Sequence, residues 1–180
     1  LKQKLSLDHN PLVSPDSVQF YAVDKDGKQP DDATRDRVVA AALAALGSRP
    51  EIEQAFSLTA LLNHKITESA VSDYSLEDRF SQSAMAGRTG DIVVAYKSGI
   101  SVAPIRPTRF IMGHAGPYRH DTAVPIIFWW RGVKSQTRLL PVDTTLIAPT
   151  LANIMGVRAP ADLDGSCLDI GYPGASACGK

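Results

Sequence analysis

Several things are missing from this chain, and each absence narrows the field. No uninterrupted apolar stretch approaches the roughly 18 residues that span a bilayer as a helix, so no membrane span is expected. No charged leader followed by an apolar core opens the sequence, so no secretion signal is visible in it. Charge of one sign is missing too, since 19 basic residues are matched by 19 acidic ones. Lysines and arginines nowhere form the stripe that tracks a phosphate backbone, so nucleic acid is not an expected partner. Cysteine is scarce, with two residues, and histidine is limited to positions 9, 64, 114 and 120. Those few donors do not fall at the spacing of a self-contained zinc site.

What is present suffices for one globular domain, or a large piece of one. Of 180 residues, 44% are hydrophobic and 21% charged, enough to bury a core. The first residue is Leu1, and Leu1-Lys2-Gln3-Lys4 reads as a position inside a longer protein and not as a translation start. Cys167 and Cys178 bracket a Gly/Pro/Ala/Ser-rich tail, CLDIGYPGASAC. They can close a small loop by a disulfide, which would imply an oxidising compartment, or stand as two unrelated thiols.

The pattern along the chain alternates strands and helices, which points to α/β architecture. SVQFYAV, residues 17 to 23, reads as a strand stopped by the turn residues Asp24-Lys25-Asp26-Gly27. In DDATRDRVVAAALAALG, Val38, Val39, Ala42, Leu43 and Leu46 share one helical face, with acidic residues at the start and Gly47 at the end. EIEQAF reads as a strand, SLTALLN as a short helix opening near Ser57, and residues 64 to 74 as a loop. Ser75 is placed to cap a helix over LEDRFSQSAM, with Asp78 in its first turn. Ile92 to Tyr96 reads as a central strand, and so does the apolar run Pro125-Ile126-Ile127-Phe128-Trp129-Trp130. PVDTTLIAPTLANIMG gives a closing helix with Asp143 or Thr144 near its start, Gly156 past its end, and a kink or break expected at Pro149.

The chemistry-bearing stretch is GHAGPYRHDTAVPIIFWWRG, residues 113 to 132. A histidine beside glycine, ahead of an apolar strand, can hold a metal through a neutral ring nitrogen. His114 alone does not make a site. Asp121 is suited either to orienting the loop, through backbone amides or a histidine's second nitrogen, or to capping a turn. Tyr118 reads as a packing residue. Trp129 and Trp130 read as core or helix-sheet interface, and Asp164-Gly165 as a turn.

The order of motifs adds a resemblance. RTGD before IVVAY, then GHAGPYRHDTAVPIIFWW, VDTTLIAPTLANIMG and APADLDGSCL together resemble the C-terminal part of the alkaline phosphatase superfamily. The nearest branch is that of periplasmic phosphatases and nucleotide pyrophosphatase-phosphodiesterases. Residues 88 to 168 carry the likeness well and residues 17 to 87 loosely. The resemblance implies the C-terminal part of an α/β/α sandwich with a mixed sheet. Residues 1–180 would be one segment of a larger domain, with strand-helix elements over 17–99. The metal-ligand loop, core strand and closing helix would lie over 108–170.

It also implies two zinc ions roughly 4 Å apart, as in two-metal phosphoryl transfer, with His114 as a ligand of one. A Thr or Ser nucleophile would form a phospho-enzyme on a small phosphate-ester substrate, mono- or diester, in a periplasmic or secreted protein. The nucleophile and the remaining Asp and His ligands lie upstream in that family and have no counterpart here, so the segment by itself is expected to be inactive. Two departures stand out: Ala115 where the family has glycine, and Thr89 where it has serine. The rival expectation is a degenerate, non-catalytic module of the same fold. Oligomeric state is not legible.

Overall fold

The strand Ile92–Tyr96 organises the first half of the molecule because it is covered on both faces. In the computed structural model, which describes residues 1–67, 71–100, 116–175 and 178, Ile92, Val93, Val94 and Ala95 are all buried. An unbroken apolar run is what such a position requires, since neither face meets water. The described residues divide into two compact units, Leu1–Val124 and Pro125–Lys180.

Among the described residues, unit one holds four strands: β1 (Leu12–Val13), β2 (Gln19–Ala22), β3 (Ile52–Ser57) and β4 (Ile92–Tyr96). They lie in the order β1-β2-β4-β3, and all three pairings are antiparallel. The α/β class is as expected; no parallel pair contributes to the sheet among the described residues. Helix α1 (Asp32–Gly47) covers one face, where Val39, Leu43 and Leu46 pack against Ala42, Ile52, Ile92 and Val94. On the other face, helices α2 (Leu58–Asn63) and α3 (Leu76–Ser83) bring Leu61, Leu76 and Phe80 against Phe56 and Val93.

One detail of β3 runs against simple alternation. Ile52 and Phe56 are an even number of residues apart, yet they join clusters on opposite faces. A register shift between Ile52 and Gln54 inserts the extra residue that flips the parity.

The helix starts follow from side-chain chemistry. Asp31 accepts the Thr34 amide at 2.9 Å to cap α1, and Ser57 accepts the Ala60 amide at 3.1 Å to cap α2. Ser75 and Asp78 form a reciprocal capping box at the start of α3. A short 3₁₀ turn, Val71–Asp73, interrupts the segment expected to be a plain loop.

The RTGD motif is a knot between β4 and β2. Gly90 packs so closely on β2 that a Cβ there would lie 2.9 Å from the Phe20 carbonyl oxygen. Its amide donates to Gln19 Oε1 at 2.9 Å, and Asp91 Oδ2 accepts the Ala22 amide at 2.8 Å. Thr89 Oγ1 accepts the Met85 amide at 2.9 Å, a bond that serine at this position would also make.

In unit two, the expected core strand 125–130 does not form. Burial alternates along it, with Ile126, Phe128 and Trp130 half-buried, but Ile127 and Trp129 are 80% and 79% exposed. No ladder pairs with it among the described residues. Its composition suits a strand, yet a strand is completed only by a neighbour's backbone, and composition cannot supply one. Trp130 instead meets Tyr172 edge-on, with ring centroids 5.4 Å apart.

The closing helix α5 (Ile147–Ile154) follows a 3₁₀ turn, Thr144–Leu146. No break occurs at Pro149. It falls in the first turn of α5, where an amide has no intrahelical acceptor to lose. At the far end Gly156 takes φ +65°. The Gly156 amide bonds Asn153 O at 3.2 Å and the Val157 amide bonds Ala152 O at 2.9 Å, a Schellman closure. Thr150, fully buried, donates to Leu146 O at 2.6 Å and accepts the Leu168 amide at 2.9 Å, which ties the tail to α5. Cys167 is disulfide-bonded to Cys178, with Cα atoms 5.4 Å apart.

Asp164-Gly165 is more than a solvent turn. A Cβ at Gly165 would sit 2.1 Å from the Thr145 carbonyl oxygen, a backbone atom that cannot swing away. Gly165→Ala is therefore expected to lower stability by about 1–3 kcal/mol through overpacking, read as a lower denaturation midpoint at unchanged m-value. An unchanged midpoint would show that the chain separates there at no cost.

Candidate functional site

His114, the residue singled out as a metal ligand, lies outside the described residues. The segment that follows it does not. Gly116 through Thr122 forms a tight loop ending in a four-residue helix, α4 (Arg119–Thr122), with Tyr118 at its N-cap position.

Three side chains hold this segment. Asp121 Oδ2 accepts the Gly116 amide at 3.0 Å, folding the loop on itself. A Cβ at residue 116 would lie 2.2 Å from that same oxygen, so glycine is what lets the carboxylate close in. Tyr118 donates its hydroxyl to the carbonyl of Tyr96, the last residue of β4, at 2.6 Å. Burial raises the Tyr118 phenol above its ordinary pKa, which keeps it a donor. Arg79, from α3, donates Nη1 to Pro117 O at 2.7 Å and Nε to Tyr74 O at 3.1 Å. A longer contact of 3.4 Å joins Nη1 to Thr122 Oγ1.

Tyr118 thus does more than the packing expected of it. Arg79 was not legible as part of the loop, because its shortest bond there goes to the backbone carbonyl of Pro117, 38 residues away. The His120 ring stacks on Tyr118 at 5.8 Å and stays largely exposed, with Nε2 3.7 Å from Asp121 Oδ2.

A second polar cluster joins α2 to α3. Asp78, buried, accepts the Ser75 hydroxyl at 2.6 Å and the Ser75 amide at 2.8 Å on one oxygen. His64 Nε2 lies 2.6 Å from the other oxygen. This is not a nucleophile-base relay. The serine hydroxyl is spent on the carboxylate, and the imidazole never reaches it. The Ser75 hydroxyl bond first, then His64 and the Ser75 amide, hold the Asp78 pKa at about 2 against an ordinary 3.8.

A carboxylate more acidic when folded than when unfolded stabilises the fold fully above its unfolded pKa. That contribution fades as pH falls from about 3.8 toward 2. Asp78→Asn is expected to lower the melting temperature at pH 7 and to flatten its pH dependence across this window. Parallel melting curves for the two proteins from pH 2 to 7 would refute the assignment.

Zinc is the group the resemblance implies, and an imidazole suits it as a donor. Among the described residues no three His, Cys, Asp or Glu side chains gather to hold a metal. The described residues therefore do not make a zinc site by themselves.

The comparisons with known proteins agree on one relationship. No protein-family model matches the chain. Over 185 aligned residues it is 26% identical to alkaline phosphatase PhoD of Zymomonas mobilis subsp. mobilis, covering 99% of this chain and 31% of that protein. It is 29% identical over 143 residues to alkaline phosphatase PhoK of a Sphingomonas species, covering 77% of this chain and 25% of that one. The crystal structure of wild-type alkaline phosphatase PafA matches the fold with a TM-score of 0.67 at 24% identity, over 93% of this chain and 30% of that one. The chain is alkaline-phosphatase-like.

This alkaline-phosphatase-like chain spans between a quarter and a third of the length of the curated relatives it matches. No described helix is long and apolar enough to cross a membrane.

Proposed function

We propose that the chain is the C-terminal part of a zinc-dependent phosphatase or phosphodiesterase that hydrolyses small phosphate esters through a Thr or Ser phospho-enzyme. The observation that carries this reading is the ordered motif series, in a chain that aligns along 99% of its length with an alkaline phosphatase. In this reading His114 supplies one ligand to one of two zinc ions. When bound, zinc would activate water and offset charge on the phosphoryl oxygens. This chain's own share is to fix the loop carrying that imidazole. Asp121 acts behind it, by holding the Gly116 amide, in the manner of outer carboxylates that orient metal ligands. The nucleophile and the other ligands come from sequence outside these 180 residues. Periplasmic or secreted location follows from the same reading and suits the Cys167–Cys178 bond.

The natural-length protein is expected to hydrolyse p-nitrophenyl phosphate, lose turnover under a zinc chelator and regain it with added zinc. Residues 1–180 alone are expected to show neither turnover nor tight zinc. Stoichiometric tight zinc on that segment would contradict the single-ligand account. A non-catalytic module of the same fold is the second reading, favoured by Ala115 in place of glycine. The coding sequence upstream of Leu1 separates the two. A nucleophile with the Asp and His sets supports the enzyme, and their absence supports the module.

A further inference from the structure

We infer that Arg79 and Tyr118 are positioning residues that brace the segment Gly116–Thr122, which begins two residues after His114; the link to His114 rests on the functional reading above. The segment cannot order itself. Its helix α4 has four residues and no side-chain cap, far short of the length at which a helix persists unaided. Its internal bonds, Gly116 to Asp121 and Thr122 Oγ1 to Tyr118 O at 3.2 Å, close the loop without attaching it to anything.

Among the described residues, the side chains of two, Arg79 and Tyr118, tie the segment to other elements by hydrogen bonds. The Tyr118 hydroxyl reaches the carbonyl of Tyr96 at the end of β4, the most buried strand of the sheet. Arg79 spans the chain before α3, at Tyr74 O, and the loop, at Pro117 O, with one planar guanidinium. A fork with fixed donor directions can serve two carbonyls at once, whereas the point charge of lysine cannot hold both in one geometry. Arg79 and Tyr118 are half-buried, so their bonds compete less with water than surface bonds do. Each anchor is attached to a different layer, one to the sheet and one to a helix, so the loop is tied at two separate points.

The test uses the natural-length protein with Tyr118→Phe, Arg79→Gln and Arg79→Lys. Amide hydrogen exchange across residues 116 to 122 is expected to quicken about five- to tenfold in the first two variants, the loss of one hydrogen bond's worth of local protection. Exchange in β4 and α1 should stay unchanged, and Arg79→Lys should restore little. Zinc affinity, measured by competition with a chromophoric chelator, is expected to fall in the same variants. Unchanged exchange over 116 to 122 would overturn the brace. Faster exchange with zinc affinity intact would overturn its link to His114. Faster exchange in a protein whose unsubstituted form binds no zinc would sink the functional reading and that link, while the brace stands.

Discussion

His114→Ala in the natural-length protein is expected to lower kcat/KM by more than the roughly 10–100-fold typical of losing a group that only orients a metal ligand. The reasoning is one of rank. A direct ligand contributes charge neutralisation and geometry together, and an outer carboxylate contributes geometry alone. Asp121→Asn serves as the internal scale. It keeps an oxygen for the Gly116 amide, which Asp121 Oδ2 now accepts at 3.0 Å, and should cost less than His114→Ala. Steady-state kinetics with p-nitrophenyl phosphate, alongside zinc content by atomic absorption, check the order. If both variants retain full zinc and differ from the parent by less than tenfold, His114 is not a ligand.

The largest effect on stability is expected at Ile92. It is completely buried in β4, under α1, in the cluster with Ala42, Ile52 and Val94. Ile92→Ala removes the methyl groups that fill this contact and leaves a cavity that the flanking strands β2 and β3 prevent from collapsing. A loss of about 2–5 kcal/mol is expected, measured by urea denaturation. A value below 1 kcal/mol would mean the site relaxes freely, against the close packing inferred for it. The effect should exceed that of Gly165→Ala, because deleting buried core atoms loses their transfer energy and leaves a cavity as well, while the added methyl at residue 165 costs only overpacking.

The two substitutions probe different layers of the same argument. Ile92 belongs to the framework that any α/β chain of this pattern must bury. His114 precedes by two residues the segment Gly116–Thr122, which Arg79 and Tyr118 anchor. Gly116 links the two, since its missing Cβ admits the Asp121 oxygen, and Asp121 in turn closes the loop that Tyr118 fastens to β4.

Local chemistry was readable from the residues alone. Ser75 caps its helix as expected, and Asp31 and Ser57, where the sequence marked only helix starts, cap theirs too, because a cap needs only a side-chain oxygen and an amide two or three residues away. β4 announced itself by an unbroken apolar run, and Gly156 by the end of a helical pattern, for equally local reasons. The motif series from Arg88 to Leu168 carried the phosphatase resemblance, since order along a chain is a property of sequence.

Pairing and long-range attachment were decided only by the tertiary structure. Residues 125 to 130 have the composition of a core strand but no ladder among the described residues, since a strand needs a neighbour that its own sequence does not encode. The parity flip in β3 depends on a register shift against β4. Arg79 reaches the segment Gly116–Thr122 chiefly through the Pro117 carbonyl at 2.7 Å, a group every residue possesses, so no residue type marked that bond in advance. Short-range hydrogen bonds are fixed by spacing along the chain. Contacts between distant segments are fixed by which surfaces the fold brings together, and that is where the brace on the candidate site resides.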